Sequence, residues 1–435
     1  MKRFAVSILI VFAVSVSLIV RGGEFPSTTP EDVGMSSERL GRIDDYVERH
    51  LEANHFAGAV TLVARRGQVV QFEAYGMQDI EAGVPMSKDS IFRIYSMSKP
   101  ITSVAVMTLF EEGRFLLNDP VSKFLPEFKD LEVGVDEVDE TTGEKVLKRV
   151  PENRKVTIRD LLRHTSGLTY GFWGKSLVDQ MYLDQGILTK DETIKEMVAK
   201  LGTIPLKHQP GTVWEYSVST DVLGRFVEVV SGQSFDEFLQ ERIFGPLGMT
   251  DTGFFVPAED VHRLTTAYRP NEDNTAISRL EPKKASDTSK DTTYRIADFT
   301  EVPTFLSGGG GLVSTASDYL RFAQMLLNRG ELDGVRILGP ETIELMTRNH
   351  MEDIPLWNGF GNYGFGLGFA VSPDRGDSGS VLSEGSYWWG GMAHTTFWVD
   401  PEEELIGIFL IQILPTSPMP YRDLFKPVVY QAIVD

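Results

Sequence analysis

The order of hydrophobic patterns along this chain constrains its fold more than any other feature. Apolar residues recur at three- and four-residue spacing over 36–54, which predicts a helix. Two strand-like runs follow at 58–64 and 69–75, and Gly67 between them can take the positive φ of a tight hairpin turn. Helical patterns dominate from about 156 to 250. The chain therefore begins as an α/β unit and becomes helical in its middle.

The C-terminal part returns to the α/β pattern. A helix predicted over 315–328 is followed by short aromatic and β-branched runs and then by a final helix. These runs lie at 364–371, 388–399 and 405–413. No internal repeat and no strong linker divides the chain. We predict an α/β part built from about 30–120 and 310–435, with a mainly helical part, about 121–309, inserted between them.

Two kinds of local signal refine this plan. The polar, charge-rich segments 136–154 and 271–298 lack apolar periodicity and predict surface excursions. Thr157 with Asp160, and Ser234 with Glu237, place a hydroxyl at a helix start and an acid three residues later, which predicts a capping box at each start.

The composition excludes several classes of function. Lys and Arg total 42 against 62 Asp and Glu, and the formal charge of −20 leaves no electrostatic basis for binding nucleic acid. The chain has no cysteine, so disulfides, thiolate nucleophiles and cysteine-ligated metals are excluded. The seven histidines show no metal-binding spacing, and we expect neither a metal nor a cofactor. A nucleophile in this chain must be a hydroxyl, an amine or a carboxylate.

The N-terminus resembles an export signal. Lys2 and Arg3 precede an uncharged run over 4–20, after which Gly22 interrupts the pattern. We predict a signal peptide over 1–22 and a periplasmic or secreted protein. The competing interpretation is an uncleaved membrane anchor, because the run is long for a signal core and no clean cleavage site follows it. A membrane partner is expected only in that second case.

The segment Ser96-Met97-Ser98-Lys99 is the first candidate for chemistry. Three residues are nearly one helical turn, so the Lys99 amine can lie beside the Ser96 hydroxyl. A desolvated amine could accept the hydroxyl proton, and the N-terminus of a helix favours the developing negative charge. The alternative is a helix cap followed by a solvated lysine. No serine lies in a G-x-S-x-G pattern, which disfavours an α/β-hydrolase.

Two further elements gain meaning beside this pair. Tyr216 follows the turn at 210–211, and its phenol could relay a proton near Lys99. The segment 388–392, Trp-Trp-Gly-Gly-Met, could let a substrate approach the backbone and help to hold an oxyanion. Taken alone, both elements are more typical of an aromatic core.

Taken in order, these motifs resemble the serine β-lactamase-like superfamily. The matching residues are Ser96-x-x-Lys99, the stretch 161–168 (Leu-Leu-Arg-His-Thr-Ser-Gly-Leu), Tyr216, the stretch 308–315 (Gly-Gly-Gly-Gly-Leu-Val-Ser-Thr) and Trp389-Gly390-Gly391. The resemblance covers about residues 30–430 and is strongest to the family VIII carboxylesterases, which are related to class C β-lactamases. It implies an α/β fold of the β-lactamase/transpeptidase type, in which helices flank an antiparallel sheet and a helical domain is inserted from mid-chain.

The resemblance also implies roles for individual residues. Ser96 would be the acylated nucleophile, Lys99 its proton partner, and Tyr216 the general base and then the acid toward the leaving group. The backbone N–H groups of Ser96 and Met392 would hold the oxyanion. The implied substrate-binding segment continues through Trp389, Gly390 and Gly391. His164 would be structural rather than part of a triad, and 308–311 would serve a tight backbone approach rather than a phosphate.

Three positions depart from the family pattern. Val218 replaces the Asn of Y-x-N, and Trp389 replaces the Lys of K-T-G, so an amide and a cation that serve lactam substrates are missing. His394 occupies a position where relatives tend to have a small residue. The first two changes predict a neutral, apolar ester as the small-molecule substrate and a site with no evident cation for an anionic one.

We therefore expect a serine hydrolase that cleaves carboxylic esters through an acyl-enzyme on Ser96. The competing enzyme hypotheses are a β-lactamase or DD-peptidase, and a transesterase that passes the acyl group to another alcohol. A catalytically silent binding protein of the same fold is the alternative outside enzymology.

Overall fold

A computed structural model describes residues 25–189, 191–280, 298–357, 360–415 and 419–435. The predicted signal peptide and most of the polar segment 271–298 lie outside the described residues. Within the described ranges, no helix combines the length and the apolar character that crossing a membrane requires.

The first and last parts of the chain share one eight-stranded sheet, whose order is β12-β13-β14-β15-β16-β1-β2-β3. The pairs in this sheet are antiparallel, and β1 lies against β16 with Val60 opposite Leu410. The strands of the described ranges are β1 Gly58–Arg65, β2 Gln68–Asp79, β3 Val84–Pro85, β4 Phe92–Arg93, β5 Glu132–Val138, β6 Lys145–Pro151, β7 Tyr268–Pro270, β8 Ile277–Arg279, β9 Val313–Ser314, β10 Glu331–Leu332, β11 Val335–Arg336, β12 Gly364–Phe365, β13 Ala370–Val371, β14 Tyr387–Gly390, β15 Thr396–Asp400 and β16 Leu405–Leu410. The antiparallel sheet expected from the resemblance is confirmed.

The turn between β1 and β2 has the predicted form. Arg66 and Gly67 both have positive φ, 52° and 73°, as the two-residue turn of a tightly twisted hairpin requires. β1 is buried along its whole length. It is an interior strand of the sheet, paired with β16 on one side and with β2 on the other.

Helices cover the sheet and build the middle of the chain. They are α1 Ser37–Leu40, α2 Arg42–Glu52, α3 Ser98–Glu111, α4 Ile158–Leu162, α5 Leu177–Asp184, α6 Ile194–Leu201, α7 Ser219–Ser231, α8 Phe235–Leu239, α9 Gly245–Leu247, α10 Ala316–Leu327, α11 Pro340–Thr347, α12 Arg375–Ser378 and α13 Tyr421–Tyr430. A π-helical segment, Gln240–Phe244, joins α8 to α9. Short 3₁₀ turns lie at Pro30–Val33, Tyr95–Met97, Val121–Lys123, Pro126–Phe128 and Val261–Arg263.

α3 is the helix that links the two parts of the molecule. It is buried from Ser98 to Leu109, so it is surrounded by protein on all sides rather than facing solvent along one stripe. Its closest helical neighbour is α7 from the middle of the chain. Residues at the start of α3 are therefore held rigidly from both parts.

The two predicted capping boxes differ in outcome. Thr157 accepts from the backbone N–H of Asp160, and the Asp160 carboxylate accepts from the backbone N–H of Thr157. The prediction at Ser234 is wrong in part. This residue is the N-cap of α8, but its side chain makes no capping hydrogen bond.

The polar segment 136–154 is more ordered than its composition indicates. It forms most of a hairpin in which β5 and β6 pair from Glu132 opposite Pro151 to Val138 opposite Lys145. Most of its side chains are exposed or only partly buried, as expected for a surface excursion. Periodicity did not reveal the strands because neither face of this hairpin is consistently apolar.

Candidate active site

Ser96 lies in a tight turn at the start of α3. The turn is the 3₁₀ segment Tyr95–Met97, and Tyr95 has a φ of 43°, which is unusual for a bulky residue. The Ser98 hydroxyl donates to Tyr95 O at 2.6 Å and accepts from Leu312 N at 3.1 Å. These contacts hold a strained backbone, and strain of this kind is concentrated at functional sites.

Lys99 is brought to Ser96 as its spacing predicts. Its Nζ donates to Ser96 Oγ at 3.3 Å, to Tyr170 OH at 2.9 Å and to Gly309 O at 2.6 Å. The residue is only 1% exposed, and its Nζ also lies 4.5 Å from the centre of the Tyr216 ring. The amine is thus desolvated, fully bonded and in contact with the candidate nucleophile.

Tyr216 lies against the same amine, but its hydroxyl has a different partner. Trp389 Nε1 donates to Tyr216 OH at 3.2 Å, whereas Lys99 contacts the face of the Tyr216 ring. The structure therefore brings Ser96, Lys99, Tyr216 and Trp389 together. Their roles in acyl transfer remain predictions.

The sequence analysis missed Tyr170. Its hydroxyl is the phenol that accepts a hydrogen bond from Lys99, and burial raises its pKa well above the usual value, with Asp221 and Tyr216 as further causes. Tyr170 comes two residues after the quoted motif at 161–168 and is separated from Lys99 by 71 positions. No local periodicity connects residues so distant, so only the fold could identify this one.

Asp221 was also missed. It lies in the first turn of α7, and its Oδ1 accepts from Ser307 Oγ at 2.5 Å and from Gly309 N at 3.0 Å. Burial raises its pKa, and the positive charge of Lys99 opposes that shift. Because Gly309 O accepts from Lys99, the backbone of a single residue, Gly309, connects the carboxyl of Asp221 to the amine.

The glycines at 308–311 serve the backbone approach that the sequence predicts. A Cβ on Gly309 would lie 2.6 Å from Asp221 Oδ2, and a Cβ on Gly308 would lie 2.6 Å from Thr220 O. Only glycine lets this strand of backbone pass so close to α7.

Ser96 opens into a cavity of about 880 Å³ with a strongly aromatic wall. Trp173 stacks on Tyr216 with ring centres 5.7 Å apart, and Phe360 stacks on Trp389 at 5.6 Å. Trp357 packs edge-on against Trp173 at 5.5 Å. Trp173 is still 54% exposed, so this wall continues to the mouth of the cavity.

The segment 388–392 forms the opposite wall, and it corrects one expectation. Gly390 ends β14, and the Arg422 guanidinium from α13 lies directly against it. Arg422 and Lys426 both line the cavity. The prediction of a site without a cation for an anionic substrate is therefore wrong. The cations come from a helix more than thirty residues beyond Trp389, which a motif comparison at position 389 could not reveal.

Two buried histidines lie beside the site. His164 Nδ1 is 3.3 Å from Ser217 Oγ, and burial together with Lys99 lowers its pKa well below the usual value. His394 packs edge-on against Tyr421, and burial together with Arg422 lowers its pKa to about 3. No contact between His164 and Ser96 forms a triad among the described residues, which agrees with a structural role for His164.

The acidic and histidine side chains of the described ranges form no group of three that could hold a metal ion. The polar groups that contact Lys99 Nζ are the Ser96 hydroxyl, the Tyr170 phenol and the Gly309 carbonyl, which is a set suited to moving protons.

The family profile for β-lactamases matches residues 43–427. The chain belongs to the β-lactamase family. The match includes every candidate site residue from Ser96 to Arg422, so the predicted resemblance is confirmed.

Individual relatives of this β-lactamase family protein agree with that assignment. Protein Rv1367c of Mycobacterium tuberculosis is 38% identical over 378 residues, covering 84% of this chain and 88% of its own. Esterase EstB of Burkholderia gladioli is 31% identical over 385 residues, covering 86% of this chain and 90% of its own. The solved structure of EstCE1, described as a hydrolase with promiscuous acyltransferase activity, superposes with a TM-score of 0.74 at 26% identity. It covers 90% of this chain and 99% of that one.

These similarities establish the coarse function and the fold. The protein is a serine hydrolase of the β-lactamase fold, in which helices flank a large antiparallel sheet.

Proposed function

We propose that this protein is a carboxylesterase that forms an acyl-enzyme on Ser96. The observation that carries the proposal is the 3.3 Å contact between Lys99 Nζ and Ser96 Oγ inside an aromatic cavity. In its neutral form, a buried amine beside a hydroxyl has a lone pair that can accept the hydroxyl proton as the oxygen attacks.

In the first half of the reaction, Ser96 Oγ attacks the ester carbonyl carbon and its proton moves to the Lys99 side of the site. The tetrahedral intermediate collapses, the bond to the alcohol oxygen breaks, and the alcohol leaves with that same proton, relayed through Tyr216 or Tyr170. In the second half, water attacks the acyl carbon and gives a proton to the same groups. The bond between the acyl carbon and Ser96 Oγ then breaks, Ser96 Oγ takes the proton back, and the acid is released. General acid–base steps of this kind contribute about 10²- to 10⁴-fold each.

The negative charge of the intermediate needs donors on the opposite side of the carbonyl carbon. We assign this role to the backbone N–H groups of Ser96 and Met392, which both line the cavity. Gly391 lets the segment that carries Met392 lie close to the segment that carries Ser96. A Cβ on Gly391 would lie 2.4 Å from Ile94 O, just before Ser96.

The wall around Ser96 favours esters over lactams and peptides. Val218, which replaces the amide of Y-x-N, is fully buried, and Trp389 fills the place of the K-T-G lysine with an indole that packs on Phe360. Aromatic rings of this kind bind an apolar chain. The expected partner is therefore a small-molecule ester, and the predicted export signal would have the enzyme meet it in the periplasm or outside the cell.

The test compares purified wild type with Ser96→Ala on p-nitrophenyl butyrate, nitrocefin and a D-Ala-D-Ala peptide. We expect the ester to be turned over fastest, and Ser96→Ala to lose at least about 10³-fold in kcat/KM. A fluorophosphonate probe should label wild type at Ser96 and leave the variant unlabelled. Ester hydrolysis that survives in Ser96→Ala would refute the proposal, and faster turnover of nitrocefin would favour a lactamase.

A second outcome of the same acyl-enzyme is transfer to an alcohol. The similarity to EstCE1 favours this possibility, because that protein is described as having promiscuous acyltransferase activity. Adding an acceptor alcohol and measuring the ratio of new ester to free acid tests it. A ratio that does not rise with acceptor concentration would restrict the enzyme to hydrolysis.

A further inference from the structure

A second cavity lies outside the Ser96 site, beside the start of α4. It has a volume of about 280 Å³ and shares no lining residue with the Ser96 cavity. Its lining is polar throughout and contains three arginines: Asn118, Arg154, Thr157, Arg159, Asp160 and Arg163. In a protein with a formal charge of −20, three guanidinium groups around one cavity are a local excess of positive charge.

Among the described residues that line this cavity, Asp160 is the one acid, and the protein uses its carboxylate fully. Oδ2 accepts from Arg154 Nη1 and from both N and Oγ1 of Thr157. Oδ1 accepts from Arg154 Nη2, Thr165 Oγ1 and Arg163 Nη2. Burial raises the pKa of Asp160, but the hydrogen bonds from Arg154 and Thr157 outweigh it and hold that pKa below its usual value. One negative charge therefore faces three positive charges.

Two acids that lie close to the lining residues in sequence have other partners. Asp119 pairs with Lys123 at 2.8 Å, and Glu152 pairs with Lys155. Neither acid is part of the lining. The excess positive charge of the cavity is therefore not cancelled by these two carboxylates.

Arg159 is the lining arginine with donors to spare. Its Nη2 is 3.2 Å from His350 Nδ1, and its Nε is buried without a hydrogen-bond partner in the described part of the chain. His350 Nε2 donates to Leu345 O at 2.7 Å, so Nδ1 is an acceptor. Burial lowers the pKa of His350, and the charges of Arg159 and Arg163 lower it further, so this ring is neutral. A buried N–H without an acceptor indicates that a group from outside the chain completes the site.

The three arginines lie at different depths. Arg163 forms the floor, with only 10% of its side chain exposed, and its Nη1 donates to His350 O at 2.7 Å. Arg154 is at the opening, with 43% of its side chain exposed, and Asn118 is exposed as well. Burial lowers the pKa of Arg163, and the like charges of Arg159 and Arg154 also lower it. The cavity thus has a fixed positive floor and a side that is open to solvent.

We propose that this cavity binds a tetrahedral oxyanion, namely phosphate as the free ion or as the headgroup of a small phosphate ester. Arg159 supplies unused N–H donors, while Arg154 and Arg163 supply positive charge from two further directions. An ion with four oxygens can meet donors from three sides, whereas the two oxygens of a carboxylate match a single guanidinium fork. The volume corresponds to about nine water molecules, which is enough for one such ion.

The first test measures binding to the wild-type protein by equilibrium dialysis with radiolabelled inorganic phosphate, with chloride keeping the ionic strength constant. We expect saturable binding of one phosphate per chain with a Kd of about 1 mM or lower. The melting temperature should rise by about 2 °C in about 20 mM phosphate. Sulfate should compete, and acetate at the same ionic strength should not. The absence of saturable binding, or competition by acetate equal to that by phosphate, would overturn the proposal.

Unlabelled glycerol 3-phosphate distinguishes the two sources of the ion. Competition at least as strong as that of unlabelled inorganic phosphate indicates that the site takes the headgroup of a phosphate ester. Much weaker competition indicates that it takes the free ion. Both outcomes support the oxyanion site.

Variants then assign the binding to this cavity. Arg159→Gln should weaken phosphate binding by about tenfold, since a charge-assisted hydrogen bond is lost. Asn118→Asp places a negative charge at the exposed opening and should weaken binding by about threefold or more. The matched control is Arg348→Gln, an arginine on the surface with 70% of its side chain exposed, which should leave the Kd unchanged. Melting temperatures without phosphate must show that each variant is folded. Wild-type affinity in both folded cavity variants would overturn the assignment.

The proposal is independent of the esterase function, and one variant separates the two. Ser96→Ala should bind phosphate with the affinity of wild type whether or not wild type hydrolyses esters. Phosphate binding that is lost in Ser96→Ala would place the ion in the Ser96 cavity and would overturn the proposal.

Discussion

Two cations lie at the Ser96 cavity, and they differ in how the protein satisfies them: Lys99 is buried behind Ser96, whereas Arg422 is half-buried on the cavity wall. Lys99 makes three hydrogen bonds, the shortest to Gly309 O at 2.6 Å, and faces the ring of Tyr216. Arg422 makes a single long hydrogen bond and has no ion-pair partner among the described residues. The first cation is held in one position by its surroundings, and the second has donors available to a ligand.

The number of hydrogen bonds that the protein makes to a cation indicates the role of that cation. Lys99 must stay in contact with Ser96 through every step, so contacts to Tyr170 and Gly309 fix its position before substrate arrives. A binding cation needs the opposite, because a partner within the protein would compete with the ligand for its donors. The fully bonded cation suits proton transfer, whereas Arg422, half-exposed on the cavity wall, keeps donors that are not used within the described residues.

The strongest test of the comparison removes the satisfied cation. Lys99→Met keeps the length of the side chain and deletes the amine, so Ser96 loses its proton acceptor. We expect kcat/KM for p-nitrophenyl butyrate to fall by at least about 10³-fold. Circular dichroism and the melting temperature must show that the variant is folded. A folded Lys99→Met with more than a tenth of wild-type activity would contradict the assigned role.

The second test determines which phenol, that of Tyr216 or that of Tyr170, transfers a proton together with Lys99. Tyr216→Phe and Tyr170→Phe each delete one hydroxyl and keep the ring. The variant that lacks the relay should lose about 10²- to 10⁴-fold in kcat/KM, and the other should lose less than about tenfold. The resemblance predicts the large loss at Tyr216, whereas the 2.9 Å contact with Lys99 favours Tyr170. Two equally small losses would exclude both hydroxyls from the proton transfer.

We expect a smaller effect on catalysis from the substitution Asp221→Asn. Asn at this position keeps an acceptor for Gly309 N but removes the charge that interacts with Lys99. Because burial raises the pKa of the Asp221 carboxyl, wild type has a titration that the Asn variant lacks, so the acid limb of the pH profile of kcat/KM should differ between the two proteins. A purely structural role would lower kcat and leave the limb in place, which makes the pH profile the deciding measurement.

The smallest predicted effect tests the neutral histidine beside Arg422. His394 has a folded-state pKa lowered from 6.5 to about 3, so the unfolded chain takes up a proton that the folded protein does not. Stability from this group is complete above about pH 6.5 and is lost as pH falls toward 3. Between pH 7.5 and pH 5 this amounts to about 2 kcal/mol.

The matched variant is His394→Asn, because Asn tolerates the positive φ of 65° at this position. Its melting temperature should fall less between pH 7.5 and pH 5 than that of wild type. Equal falls in the two proteins would mean that His394 does not titrate as assigned.

The sequence predicted the parts of the site that are close together in the chain. Ser96 and Lys99 are three residues apart on one helical turn, so local geometry alone places the amine beside the hydroxyl. The hairpin turn at Gly67 and the helix over 315–328 could also be predicted from sequence, because the residues that indicate each element lie within that element. The family resemblance added Tyr216 and the 388–392 wall, which local reasoning left open.

The site residues that the sequence analysis did not predict depend on contacts between distant parts of the chain. Tyr170 and Asp221 reach Lys99 from other elements, and their own neighbours in sequence give no sign of it. Arg422 was missed for a related reason. The loss of the lysine at position 389 indicated a site without a cation, but a cation can enter the same space from another helix.

The pairing of β1 with β16 has a consequence for biosynthesis. In the register, Val60 lies opposite Leu410 and Arg65 opposite Leu405. Nearly the whole polypeptide must therefore have been synthesised before β1 can pair with β16. A nascent chain thus contains the Ser96–Lys99 motif long before the sheet that supports this motif can form. Translation that stops short of α13 should yield a product without the fold, so hydrolytic competence arises late and all at once.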